Sequence, residues 1–159
     1  MNALNMPTTA SSELIEMISI MRSDKVKDFV KSDGLILYVC ELYLTRCGSD
    51  STHEHIRSRA RELAKLSMAM QCKSLSEALL PKKFEELCKT VKFNATPHTR
   101  KKLGVFLRIA IEFLLNIAST QDNEGLIRLM NVSLHLHKSE WRHRVGHRAR
   151  LEAEQATFN

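Results

Sequence analysis

The sequence predicts an all-α fold: a compact bundle of about six or seven helices that ends in a long C-terminal helix. Three observations predict it. The 159 residues include only five Gly and three Pro, which suits long helices better than many short strands joined by turns. Apolar residues recur three and four apart along most of the chain, the period of a helix face packed on a core. The one segment for which a strand is the competing reading has no evident partner strand elsewhere. The apolar share of 43% and charged share of 26% are those of a globular chain long enough to bury a core. The expected organisation is a flexible segment over residues 1–10, a single helical domain over 11–154 and a flexible tail over 155–159.

The elements follow in order. Ser11 or Ser12 caps a first helix with Leu14, Ile15, Ile18 and Met21 on one face. That helix runs on or restarts to include Val26, Phe29 and Val30, and Asp33-Gly34 breaks it. LILYVCELYLTRC is the ambiguous segment; helix is preferred to strand, with Gly48 closing it. Ser51 or Thr52 caps the next helix, in which Ile56, Leu63 and Met70 recur every seven residues with Ala60 and Ser67 between. Ser74 caps a short helix to Leu80. Pro81 ends it or opens the next, which carries Phe84, Leu87, Cys88 and Val91. Thr96 is an N-cap followed by Pro97 at the first helical position, and the helix to Ser119 is apolar enough to be central. Asp122 caps the last helix, whose stripe is Ile127, Met130, Leu134, Trp141 and Val145. It continues to about Glu154 or breaks near Lys138, and Gly146 weakens its continuity.

Four cysteines, Cys40, Cys47, Cys72 and Cys88, form no CxxC pair and sit in helical apolar patterns, so buried free thiols in a reducing compartment are expected. The first twelve residues lack the basic and apolar regions of a signal peptide. The apolar run from Leu103 to Ala118 contains Arg108 and Glu112, so an integral membrane span is not expected. An intracellular protein, cytoplasmic or nuclear, follows.

The net charge is +6, with a pI of about 9.3, and it is unevenly placed. Residues 1–50 sum to −2, residues 51–100 to +5 and residues 101–159 to +3. Three features carry the excess. Arg57, Arg61 and Lys65 follow at four-residue spacing along one helix flank, where like charges repel by about a few tenths of a kcal/mol per pair. Lys82 and Lys83 open one helix and His98, Arg100, Lys101 and Lys102 open another, where free backbone N–H groups favour an anion. Arg142, Arg144, Arg148 and Arg150 surround Trp141, which could stack on an unpaired base. The plainer reading of this last segment is ion pairing at i,i+4 between Glu140 and Arg144, Arg148 and Glu152, and Arg150 and Glu154. Solvated faces are the plainer reading of the other two.

Other chemistry has less support. His143 and His147 are spaced to share a metal but lack further ligands, and His137 reads as an interior or boundary histidine. No Gly-rich phosphate loop, nucleophile elbow or zinc-protease motif occurs, so neither catalysis nor a cofactor is expected. The expectation is therefore binding of RNA, or nucleic acid generally, through the phosphate backbone with little sequence specificity. The alternatives are a helical adaptor for a protein partner, with seven Met available for an adaptable groove, and an oligomeric matrix-like protein on anionic lipid. Small basic helical proteins occur among viral accessory and matrix proteins, an analogy of size and charge rather than of motif.

Overall fold

The computed structural model describes residues 10–47 and 50–146; the side chains of residues 47, 50–52 and 146 are outside that description. Among the described residues the structure is all-α, with eight helices and no strand. They are α1 (Ser12–Ser19), α2 (Lys25–Ser32), α3 (Gly34–Cys47), α4 (Asp50–Ala69), α5 (Leu75–Ala78), α6 (Phe84–Asn94), α7 (Pro97–Thr120) and α8 (Glu124–Trp141). A 3-10 turn, Pro81–Lys83, leads into α6, and one turn of π-helix, Arg142–Gly146, follows α8.

Polar side chains set most of the helix starts. Ser11 accepts the Leu14 amide at 3.2 Å and donates its hydroxyl to Glu41 at 2.9 Å, tying α1 to α3. The first apolar stretch is two helices because Asp24 caps α2, accepting from the Lys27 amide at 2.9 Å. Asp33 is buried and serves two helices. One carboxylate oxygen accepts from the Ile36 amide at 3.0 Å and the other from the Leu75 amide at 2.8 Å, so a single charge sits at the starts of α3 and α5. Ser74 caps α5 and Thr96 caps α7, with Pro97 in its first turn.

The segment open to two readings, α3, is a helix. Its Leu35, Ile36, Val39, Cys40 and Leu44 are buried while Leu37, Tyr38 and Tyr43 pack at the edge of the core, so apolar residues nearly encircle it. The seven-residue pattern of α4 is its buried face, Ile56, Ala60, Leu63 and Ser67, with Met70 buried just past its end. Ser51 and Thr52 lie inside α4 rather than before it. Gln71, at φ 57°, turns the chain out of α4 in the left-handed region.

The central helix is α7, packed against α3, α4 and α8. It buries Ala110 and Leu103, Phe106, Leu107, Ile111, Phe113, Leu114 and Ile117, the seven larger side chains each worth about 1.5–3 kcal/mol relative to exposure. Its length and composition would also suffice to cross a membrane, and 56% of its most apolar window is buried inside the fold. The cap of α8 is Asn123, not Asp122. Asp122 takes the left-handed turn at φ 51°, and the Asn123 side chain accepts the Leu126 amide at 3.2 Å.

The buried stripe of α8 is Leu126, Met130, Ser133, His137 and Trp141, with Ile127 and Leu134 at its edge. Two polar groups in the stripe reach the backbone of other elements: Ser133 donates to the Leu79 carbonyl at 2.7 Å and His137 Nε2 lies 2.7 Å from the Gly104 carbonyl. The carbonyl only accepts, so Nε2 carries the proton. Burial holds His137 below the usual histidine range, and its buried Nδ1 has no hydrogen-bond partner. The α-helical bonding stops at Trp141, and the π turn keeps Val145 buried against the core. The expected continuation to Glu154 lies outside the described residues.

Candidate nucleic-acid interface

The sequence-predicted basic residues meet different fates. In the α4 row, Arg57 is half-buried, Lys65 is exposed and Arg61 is bound. The Arg61 guanidinium grips both carboxylate oxygens of Asp24, one at 3.1 Å, which holds the Asp24 carboxyl well below its usual range. A reading of α4 alone finds only Glu54 and Glu62 near the row; packing of α2 on α4 supplies a third carboxylate, 37 residues earlier in the chain. Arg59 is 8% exposed and pairs with Glu62 at 2.6 Å.

Arg100, expected to face an anion at the start of α7, is 7% exposed instead. Its Nε donates to the Ala95 carbonyl at 3.0 Å and its Nη2 to the Lys92 carbonyl at 2.6 Å. It thus supplies donors and positive charge to the carbonyl end of α6, which outweighs its unfavourable place at the start of α7. Lys101 remains exposed and Lys102 half-buried beside it.

Lys102 lies within electrostatic reach of α4. Burial pushes the Glu62 carboxyl up, while Arg59, Lys65 and Lys102 around it act in the opposite sense. Burial likewise pushes His55 down, helped by Arg59 and Lys102. Lys65 of α4 and Lys102 of α7 therefore both lie within electrostatic reach of one half-buried glutamate. The first and second basic features, separate in sequence, adjoin here.

The remaining basic residues gather at the other end of α6. Lys82 is exposed, and Lys83 lies 3.7 Å from Glu86. Arg144 lies 3.6 Å from Glu140 and 5.9 Å above the Phe84 ring, while Arg142 is exposed. Glu85, Glu86 and Glu140 punctuate this group, and α6 sets it about 15 Å from the start of α7 at 1.5 Å per residue. The Glu140–Arg144 pairing read from the sequence is present. Arg148, Arg150, His147 and the pairs with Glu152 and Glu154 lie outside the described residues.

Trp141 offers no surface for a base. It is 7% exposed, stacks on His137 with ring centroids 4.9 Å apart, and lies so close over Gly104 that a Cβ there would sit 2.4 Å from its Nε1. Among the described residues the exposed aromatic is Phe93, at 89%. Sequence reading passed over it, although the signal was present. Phe84, Leu87, Cys88 and Val91 form the buried stripe of α6, and Phe93 lies about 200° around the helix from Val91. A second overlooked signal is that residues 87–111 contain six Lys/Arg and no Asp/Glu.

Elsewhere, Tyr38 and Leu42 of α3 and Ile109, Phe113 and Ile117 of α7 line an open groove of about 340 Å³, with Arg46 and Glu112 also on its walls. Cys40, Cys72 and Cys88 are buried and unpaired; burial pushes Cys40 up to about 12 and Cys88 up to about 11, which leaves little thiolate for nucleophilic or redox chemistry. Among the described residues no group of three His, Cys, Asp or Glu is placed to hold a metal ion. No protein-family model, curated protein or solved structure gives a significant match to this chain.

Proposed function

We propose that this protein binds nucleic acid through the phosphate backbone, with little sequence specificity, at the corner where α6 ends, α7 begins and α4 passes alongside. One observation carries the reading: with Arg100 bonded to backbone and Arg108 paired with Glu112, the stretch from residue 87 to 111 still holds Lys89, Lys92, Lys101 and Lys102 without a carboxylate of its own, and Lys102 and Lys65 of α4 both lie within electrostatic reach of the single Glu62. A local excess of positive charge attracts a polyanion, and each neutralised phosphate releases counterions, so binding weakens steeply with salt. Arg61 and Arg100 have structural partners and are left out of the contact set; Lys65, Lys101 and Lys102 are its centre.

The test is fluorescence anisotropy with labelled RNA of 12–20 nucleotides, from roughly 50 to 200 mM salt. Four phosphate contacts predict about a 50-fold loss of single-strand affinity over that range. Changing Lys65, Lys101 and Lys102 together to Ala flattens the salt slope by about 2. Binding that ignores salt, or that survives the triple change, overturns the reading. The groove between α3 and α7 favours a second reading, an adaptor for a protein partner. That reading predicts salt-insensitive capture of a protein, lost when Leu42 or Ile109 becomes Asp.

A further inference from the structure

We infer that Phe93 is a stacking platform for an unpaired base, so that the nucleic acid held at this corner is single-stranded. The inference rests on the phosphate-binding reading of the same corner and adds the form of the ligand and the group that recognises it.

Four observations carry it. First, Phe93 is 89% exposed, well above the next large apolar side chains, Ile20 at 68% and Ile15 at 60%. The side chain packs on little of its own protein and is accessible to a ligand. Single exposed apolar residues are common and need no explanation; the setting of this one is what distinguishes it.

Second, the backbone beneath the ring is braced. Phe93 lies in the last turn of α6, where the Ala95 amide donates to the Val91 carbonyl at 2.9 Å. The buried Arg100 guanidinium bonds the carbonyls of Lys92 and Ala95, on either side of Phe93, and so ties this turn to α7. A platform already held in place loses little freedom when a ligand stacks on it.

Third, the charged residues that flank the ring in sequence are cations, and the acidic group at this corner is the half-buried Glu62. Lys89 is one turn earlier on the same helix face, Lys92 is the preceding residue, and exposed Lys101 follows at the start of α7. No carboxylate occurs within the surrounding stretch from 87 to 111. A peptide partner recognised through this charge would have to be acidic and also offer a ring or apolar side chain, whereas a nucleotide carries a phosphate and a flat π face in each repeat.

Fourth, the chemistry selects the strand state. A duplex keeps its bases stacked on one another, so an exposed ring at a helix end finds no free base face. A single strand offers a free base face, and alternation of an aromatic with backbone-directed cations is the usual arrangement for binding one. Stacking accepts any base, which matches the low sequence specificity of the reading above.

The experiment uses the full chain, a 12-nucleotide single-stranded RNA carrying 2-aminopurine, and a duplex of the same length. Phe93→Ala is expected to weaken single-strand binding by about 5- to 100-fold. It should leave duplex binding and the salt slope unchanged and abolish the quenching of 2-aminopurine that stacking produces. Phe93→Leu, apolar but without a ring, should bind as poorly as Ala; Phe93→Tyr should restore binding. Because the ring is exposed, all three variants should melt with the wild type.

The outcomes separate the two claims. If Phe93→Ala binds single strands normally while Lys101→Ala with Lys102→Ala does not, the corner holds phosphate and the stacking inference falls. An equal loss on duplex and single strand overturns it too. Absence of binding to either RNA at 50 mM salt removes both claims. If Phe93→Ala instead dissociates an oligomer in sedimentation while RNA binding persists, the ring faces protein and the inference falls.

Discussion

The flank of α4 at Arg61 and the corner at Phe93 are both rich in cations, yet the fold uses them differently. At the flank, Arg59 and Arg61 are occupied by Glu62 and Asp24, and their guanidinium groups help hold α4 to its own surface and to α2. At the corner, Arg100 is turned inward to close α6, Lys89 and Lys101 are exposed, and the half-buried Lys102 lies within electrostatic reach of Glu62. The planar, multi-donor arginines serve as braces and the lysines stay in water, a division that follows from their donor geometry and hydration. Spacing along a helix therefore says which charges are neighbours. It does not say which are available, because availability depends on carboxylates brought in from other helices.

The sharpest way to break the braced side is at the joint between α7 and the π turn. Gly104→Ala places a Cβ 2.4 Å from Trp141 Nε1 and about 3 Å from two further ring atoms, and a buried indole beside His137 has little room to move. The expected loss is about 3 kcal/mol, a fall of roughly 6–12 °C in melting temperature, with a change in tryptophan emission. An unchanged melt would mean that the turn is only loosely docked.

Arg100→Ala comes next. It leaves the carbonyls of Lys92 and Ala95 without their charged donor and should cost about 2 kcal/mol in chemical denaturation. Arg100→Lys should recover less than half, since an ammonium lacks the fork that spans both carbonyls. Full recovery by lysine would show charge, rather than geometry, to be what closes α6.

The smallest effect compares two members of one row. Arg61→Ala should lower the melting temperature by roughly 2 °C at pH 7, and Lys65→Ala by less than half of that. The sign with pH is fixed by Asp24. Its folded carboxyl titrates below the ordinary value of 3.8, so the pair's contribution is complete above about pH 4 and is lost as the pH falls further. The gap between wild type and Arg61→Ala should accordingly close in acid. A gap that does not narrow between pH 5 and pH 2 would assign the effect of Arg61 to packing instead.

Local signals were legible in the sequence, and distant partnerships were not. The heptad of Ile56, Leu63 and Met70, the Thr96-Pro97 start and the Ser74 cap each depend on residues within a few positions, and each is present. Asp33 shows the limit. As Asp-Gly it reads as a break, and nothing local says that its second oxygen will meet the Leu75 amide 42 residues later. Asp122 and Asn123 are both good caps, and only the need for a left-handed residue before α8 decides between them. For the candidate site, the charge excess was legible, but the removal of Arg61, Arg100 and Trp141 from the surface was decided by helix packing.

The buried thiols give the molecule its own clocks. Alkylating reagents attack thiolate, and Cys40 and Cys88 ionise too weakly at pH 8 to react while they remain enclosed. Each modification therefore times an opening event. Cys88 lies in α6 within electrostatic reach of Arg144 and Glu140, so its rate reports the lifting of the π turn; Cys40, within α3, reports the parting of the central helices. The order in which the two become labelled is the order in which the bundle comes apart.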